Sequence, residues 1–173
     1  EPIIKGGLGF RDPQMFNLAM LGNQGWRILT KPDSLCSRVL KGKYIPHSNF
    51  LQASIPKGAS SIWKAIIADR KALERGLIHR IGDGSSISIW NDPWIPNIVT
   101  MKPTGRLGAE PLHTVSELID DYTGSWNVSL VRQNFLHPDA EAILNITLNP
   151  AGGNDSIAWA LEKLGIYNVK SVY

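Results

Sequence analysis

The sequence predicts an α+β fold: a mostly helical first part, a central β-hairpin, then short helices and a terminal hairpin. Three observations predict it. Apolar residues recur at helical spacing as far as Gly76. The period then switches toward alternation on either side of Gly82-Asp83-Gly84. With Gly at 16 and Pro at 11 of the 173 residues, the remainder is punctuated into short elements.

Each element has its own signal. Asp12-Pro13 opens the first helix, because Asp caps and proline at the first helical position forfeits no hydrogen bond. Met15, Phe16, Leu18, Ala19, Leu21, Trp26 and Leu29 form its stripe, and Pro32 stops it. Gly22 and Gly25 either weaken this helix or bring it close to a neighbour. Asp33 caps a second helix with Leu35, Cys36, Val39, Leu40 and Tyr44 facing inward, and Pro46 ends it. A loop over 45–59 leads to a third helix from Ser60-Ser61, with Ile62, Trp63, Ile66, Ile67 and Leu73 as its stripe and Gly76 at its end.

Beyond it, Ile78–Ile81 and Ser86–Trp90 read as a hairpin, since Asp-Gly between alternating runs is a strong turn signal. A turn-rich segment, 91–96, and a Gly/Pro-rich loop, 97–113, follow. Thr114-x-x-Glu117 is a capping-box signature for a short helix. Trp126–Phe135 and Pro138–Leu144 read as helices, and 149–155 as a loop. Ser156–Leu161 is expected to pair with Ile166–Lys170 in a terminal hairpin, with helix as the competitor for the first run. The chain then divides into a basic helical module with its hairpin (1–96), a loop (97–113) and a small α+β segment (114–173).

Composition bounds the chemistry. Hydrophobic residues at 43% and charged residues at 19% describe a globular chain. One cysteine, Cys36, excludes an internal disulfide framework and a cysteine-based zinc site, and its apolar stripe predicts a buried, inert thiol. There is no run of 18 apolar residues, so no transmembrane helix and no membrane partner are expected. The start has neither a signal-type hydrophobic region nor an initiator Met, so the chain reads as a piece of something longer. The glycosylation sequons at Asn127 and Asn145 read as chance matches in that setting.

Charge is uneven. Residues 1–82 hold 13 Lys/Arg against five acids, and residues 83–173 hold five against ten. A basic half suggests contact with phosphate, while a solvated helix face explains the same charge without a ligand. The basic candidates are Lys41, Lys43, Lys64, Arg70, Lys71, Arg75 and Arg80. Six tryptophans stand out, of which Trp26, Trp63 and Trp159 read as core; Trp90 and Trp94 remain open to stacking or an interface. Arg80 beside Trp90 across the hairpin would make a stacking platform. Catalytic and metal sites have no support. His47, His79, His113 and His137 are dispersed, no Gly-x-Ser-x-Gly elbow exists, and no carboxylates converge locally. Gly6-Gly7-Leu8-Gly9 lacks the Lys-Ser/Thr of a phosphate-binding loop and reads as a tight lead into the first helix.

The order of motifs carries a resemblance. Gly-Gly-Leu-Gly-Phe-Arg-Asp (6–12), Phe-Asn-Leu-Ala-Met-Leu-Gly-Asn-Gln-Gly-Trp-Arg-Ile-Leu-Thr (16–30) and Arg-Val-Leu-Lys-Gly-Lys-Tyr (38–44) come first. Ser-Ile-Trp-Lys-Ala-Ile (61–66), Gly-Leu-Ile-His-Arg-Ile-Gly-Asp-Gly (76–84) and Ile-Trp-Asn-Asp-Pro-Trp-Ile-Pro (89–96) follow, with Asp-Ser-Ile-Ala-Trp (155–159) near the end. This order resembles the region behind the reverse-transcriptase core of plant non-LTR (long interspersed) retroelement polyproteins, among whose relatives are ribonuclease H-like proteins. The resemblance covers essentially the whole chain, more loosely over 97–154.

The resemblance implies a polymerase core upstream and a zinc-binding segment and ribonuclease H-like domain downstream. The Mg and Zn of such a parent would lie outside this chain, and no family catalytic residue maps onto it. The implied role is a non-catalytic, thumb-side connector contacting RNA or RNA–DNA hybrid through its basic face, in the nucleus. The rival is a scaffold that packs against those flanking domains, with the Trp90–Trp94 segment as its interface.

Overall fold

The computed structural model describes residues 13–96, 99–108, 111–149 and 152–168, with side chains from residue 20 onward. Asp12, the 6–12 motif and the end of the expected terminal hairpin lie outside the described residues. The fold is α+β, as the sequence predicts. The chain forms two compact units: residues 1–76 with 161–173, and residues 77–160. These boundaries differ from the expected 1–96, 97–113 and 114–173.

The first unit is built on helices α1 (Pro13–Thr30), α2 (Leu35–Tyr44) and α3 (Ser61–Gly76). Gly22 and Gly25 serve close packing of α1. A β-carbon at Gly25 would stand 2.5 Å from Leu73 of α3 and 3.1 Å from Phe50; at Gly22 it would stand 2.2 Å from the Tyr167 hydroxyl. Trp26, Phe50, Trp63, Ile66 and Leu73 fill the core. Phe50 sits in a 3₁₀ turn (Phe50–Gln52), edge-on to Trp63 at 6.2 Å between ring centroids.

Helix α2 is rolled about its axis relative to the expected stripe: Leu40 and Tyr44 are half-buried, as that stripe requires, and the rest of it is not. Ser37 is its buried residue, while Leu35, Cys36 and Val39 are exposed. Polar contacts set this orientation. Ser34, not Asp33, is the N-cap and accepts the Ser37 N–H; the Ser37 hydroxyl in turn donates to the Arg27 carbonyl at 3.2 Å. At the other end the Tyr44 ring stacks on Trp63 at 4.7 Å and its hydroxyl donates to Ser60 at 3.1 Å.

The second unit begins with β1 (Leu77–Arg80). The expected central hairpin is replaced by a longer-range pairing. Strand β1 pairs antiparallel with β4 (Ser156–Trp159), Leu77 opposite Trp159 and Arg80 opposite Ser156. The 86–90 run pairs instead with 113–115: Ile89 donates to the His113 carbonyl, Val115 donates to Ile87, and Ser88 bridges Thr114. Because β4 is taken by β1, the run from Ser156 does not form the expected terminal hairpin, and residues 165–168 are not strand.

The cause is Asp155. Its carboxylate accepts the N–H groups of Gly82 (2.7 Å), Gly84 (2.8 Å) and Ser86 (2.9 Å) and the Ser86 hydroxyl (2.8 Å). The loop that would turn a hairpin is wrapped around a side chain some seventy positions away. Glycine is required there: a β-carbon at Gly82 would lie 2.2 Å from the Gly153 carbonyl oxygen, and Gly84 has φ +74° and would meet the Ser116 nitrogen at 2.7 Å.

The rest of the unit is a small sheet, β2 (Ile119–Asp120) with β3 (Ser125–Trp126), and two short helices, α4 (Val128–Asn134) and α5 (His137–Leu144). The Thr114 signature does open a short helix, of 3₁₀ type, over Val115–Leu118; the Glu117 carboxylate accepts the Thr114 N–H at 2.7 Å. Ile87, Ile89, Trp94, Leu118, Val131, Phe135 and Ile143 belong to one buried cluster. Trp26, Trp63 and Trp159 are all core, as expected.

Candidate nucleic-acid interface

Helix α3 buries Trp63, Ile66, Ile67 and Leu73. Its opposite face carries Lys64, Ala68, Lys71 and Arg75, at i, i+4, i+7 and i+11, all exposed. At 1.5 Å per residue the three cations span about 16 Å along the axis, close to five nucleotide steps of about 3.4 Å. Among the described residues none of the three is in an ion pair. The arrangement follows from the sequence period, because these positions repeat on the side away from the apolar stripe.

The other basic candidates separate from this stripe. Arg70 points the other way. Its guanidinium donates to the Ala53 carbonyl at 2.6 Å and contacts Glu74 at 3.5 Å, so it ties α3 to the segment after the Phe50 turn. Lys41 is half-buried on α2; Lys43 is exposed, its ammonium 5.2 Å from the Tyr44 ring centroid. Arg80 is exposed but belongs to the second unit, opposite Ser156. Exposed cations at Arg27, Lys31, Arg38 and Lys57 belong to the first unit as well. They were readable as charge in the sequence, but no motif singles them out.

The two open tryptophans are also separated. Trp94 is 1% exposed; its indole N–H donates to the Ile89 carbonyl at 2.9 Å, and its ring sits 6.2 Å from Trp126. It is core, closed to a base or a partner. Trp90 is half-buried, stacked on Phe135 at 5.3 Å and bonded to the Leu112 carbonyl. The cation over its ring is Arg106, at 5.9 Å, rather than Arg80, because the hairpin that would have joined Arg80 to Trp90 does not form.

The carboxylates mainly hold loops. Burial pushes the Asp155 carboxyl up, but the Gly82, Ser86 and Gly84 donors outweigh it and hold the group below its ordinary value. Asp139, 1% exposed, accepts the N–H and hydroxyl of Thr104 at 2.7 and 2.8 Å. The exception is Asp69. It is 8% exposed on α3, and burial raises its pKa. Among the described residues no three of His, Cys, Asp and Glu converge as metal ligands. No described helix is long and apolar enough to cross a membrane.

Charge follows the two units. The first holds 14 Lys/Arg against six acids, a net of +8, and the second holds four against nine, a net of −5.

Two plant proteins are similar to the chain. It is 43% identical over 98 residues to "Uncharacterized mitochondrial protein AtMg00310" of Arabidopsis thaliana, covering 57% of this chain and 64% of that protein. It is 29% identical over 185 aligned residues to "Putative ribonuclease H protein At1g65750" of the same plant, covering all of this chain and 29% of that protein. The chain therefore spans less than two thirds of the first and under a third of the second. No protein-family profile matches it. No solved structure matches it either.

Proposed function

We propose that this chain is a non-catalytic, nucleic-acid-contacting region of a plant retroelement-type protein, a connector beside a reverse-transcriptase core that holds RNA or RNA–DNA hybrid. The observation that carries this reading is the α3 stripe: Lys64, Lys71 and Arg75 lie on one exposed helix face, outside any ion pair among the described residues, in a unit of net charge +8. Their spacing suits the backbone of a strand. Lysine and arginine contacts to phosphate bind without reading bases, so little sequence preference follows. Similarity over the whole chain to a protein with a ribonuclease H name supports the nucleic-acid context.

In this reading Lys43 adds a phosphate contact from α2, Lys41 a partial one, and Arg70 serves by fixing α3. Arg80 and Trp90 take no part in the stripe. The polymerase core, the zinc-binding segment, their Mg and Zn, and nuclear action belong to the proposed parent protein.

The test is fluorescence anisotropy with a labelled RNA and with an RNA–DNA hybrid. Reversing Lys64, Lys71 and Arg75 to Glu should weaken binding of both by about tenfold or more, with each single reversal lowering the salt slope by about one. These positions are exposed, so the fold should survive, which circular dichroism checks. Unchanged binding by the folded triple variant contradicts the reading.

A further inference from the structure

Among the described residues the outward face of α2 is unpartnered, and its exposure is built in. Leu35 is 77% exposed and Val39, one turn on, 57% exposed. Gly42 continues the same line at i+7, and among the described residues no atom lies within 4 Å of where its β-carbon would be. A glycine inside an exposed helix makes that helix less stable than alanine would, and nothing among the described residues requires it there. Arg38 and Lys43, both exposed, flank the line on its two sides, and α2 contains no acidic residue. Rolling the helix to hide Leu35 would break the Ser37–Arg27 hydrogen bond and the Tyr44–Trp63 stack.

We propose that this face docks an acidic amphipathic helix of a partner protein. The apolar line Leu35–Val39–Gly42 runs at i, i+4 and i+7, the seam that a second helix reads. Gly42 leaves room for the partner's backbone or for a large side chain. Arg38 and Lys43 select carboxylates on both edges of the seam, as flanking charges do in paired helices.

The same charges argue against other occupants. A second copy related by a two-fold axis would set these cations against one another. RNA offers little to two aliphatic side chains, since bases stack on aromatic rings and this face has none. A bilayer-surface helix carries bulky and aromatic anchors, where this face has a glycine. The inference stands apart from the α3 stripe of Lys64, Lys71 and Arg75, and shares Lys43 alone with the proposed nucleic-acid contact.

The experiment uses the whole chain as bait against a displayed library of helical peptides, with a Leu/Ala seam fixed and flanking positions varied among Glu, Gln and Lys. The expected result is enrichment of Glu-flanked peptides that protect the exposed Cys36 thiol from maleimide. Leu35→Ser with Val39→Ser should weaken their binding by about tenfold or more. Gly42→Leu should also weaken it, and Arg38→Glu with Lys43→Glu should switch selection to Lys-flanked peptides. All these positions are exposed, and circular dichroism confirms that each variant is folded.

Enrichment without preference for Glu, or binding indifferent to Leu35 and Val39, overturns the proposal. So does the absence of peptide binding, whether the face instead drives adsorption to phosphatidylserine vesicles or self-association. RNA anisotropy on the Leu35 and Val39 variants separates the two ideas. Leu35→Ser and Val39→Ser should leave RNA affinity intact, and a chain that binds peptide but no RNA keeps this proposal and loses the stripe.

Discussion

Asp155 holds the second unit's entry loop together, and its four acceptor contacts make it the most consequential single side chain there. Asp155→Asn loses a charged acceptor facing three backbone N–H groups. A loss on the order of 2 kcal/mol follows from hydrogen bonds to charged groups. The pH dependence follows from the lowered pKa. A depressed carboxyl contributes stability that is present above its unfolded value of about 3.9 and is lost as pH falls through the lower folded value. Chemical denaturation should therefore show the wild type ahead of the variant at neutral pH, with the gap closing below about pH 4. A gap that persists in acid contradicts the assignment.

Asp69 runs in the opposite sense. Its pKa is raised by burial, so its effect is neutral below the unfolded value and becomes destabilising as pH rises toward the folded one. Asp69→Asn cannot ionise. Relative to wild type, the variant should gain stability as pH rises from about 3 to about 7, because the buried group no longer has to ionise. A pH-independent difference in urea midpoints would sink this account. Residue-scale reading of the sequence found Trp26, Trp63 and Trp159, since a large ring in an apolar stripe has few places to go. It left Trp94 open because adjacent prolines resemble a surface turn, whereas the indole is buried against the Ile89 carbonyl.

At the scale of elements, glycines in two helices have opposite effects. Gly25 of α1 meets Leu73 and Phe50, whereas Gly42 of α2 meets no described residue. Gly25→Ala should destabilise by about 1–3 kcal/mol through overpacking. Gly42→Ala should stabilise by about 0.5–1 kcal/mol through helix propensity. Thermal melts of the two variants moving in the same direction would contradict this packing.

Helices were legible because their signal is local: α1, α3 and the 3₁₀ turn after Thr114 follow from caps and periods. Strand partners were not. Asp83-Gly84 carries a true turn signal, but a turn signal cannot show that Asp155 will occupy the loop or that β4 will take the hairpin's place. For α2 the period was legible and its direction only in part: Leu40 and Tyr44 pack inward, whereas Leu35, Cys36 and Val39 do not. A stripe of five residues outweighed Ser37, whose hydroxyl bond to Arg27 is invisible in one dimension.

For the whole molecule, charge was the most legible property. The switch from basic to acidic near residue 82 in the sequence corresponds to units of net +8 and −5. Which cations are available was only partly legible. Lys64, Lys71 and Arg75 follow from the α3 period, but the diversion of Arg70 to the Ala53 carbonyl needed the fold.

The most direct test of the central claim is the salt dependence of RNA binding by the whole chain. Each phosphate contact should contribute about 0.7 log units of affinity per log unit of salt on a single strand. The three stripe residues alone therefore predict a slope of about −2, steepening with Lys41, Lys43 and other cations of the first unit. Measured from about 50 to 200 mM salt, a slope of that size that flattens in the Lys64, Lys71 and Arg75 reversal variant is the predicted result. A flat wild-type slope, or no binding at the lowest salt, would contradict the account.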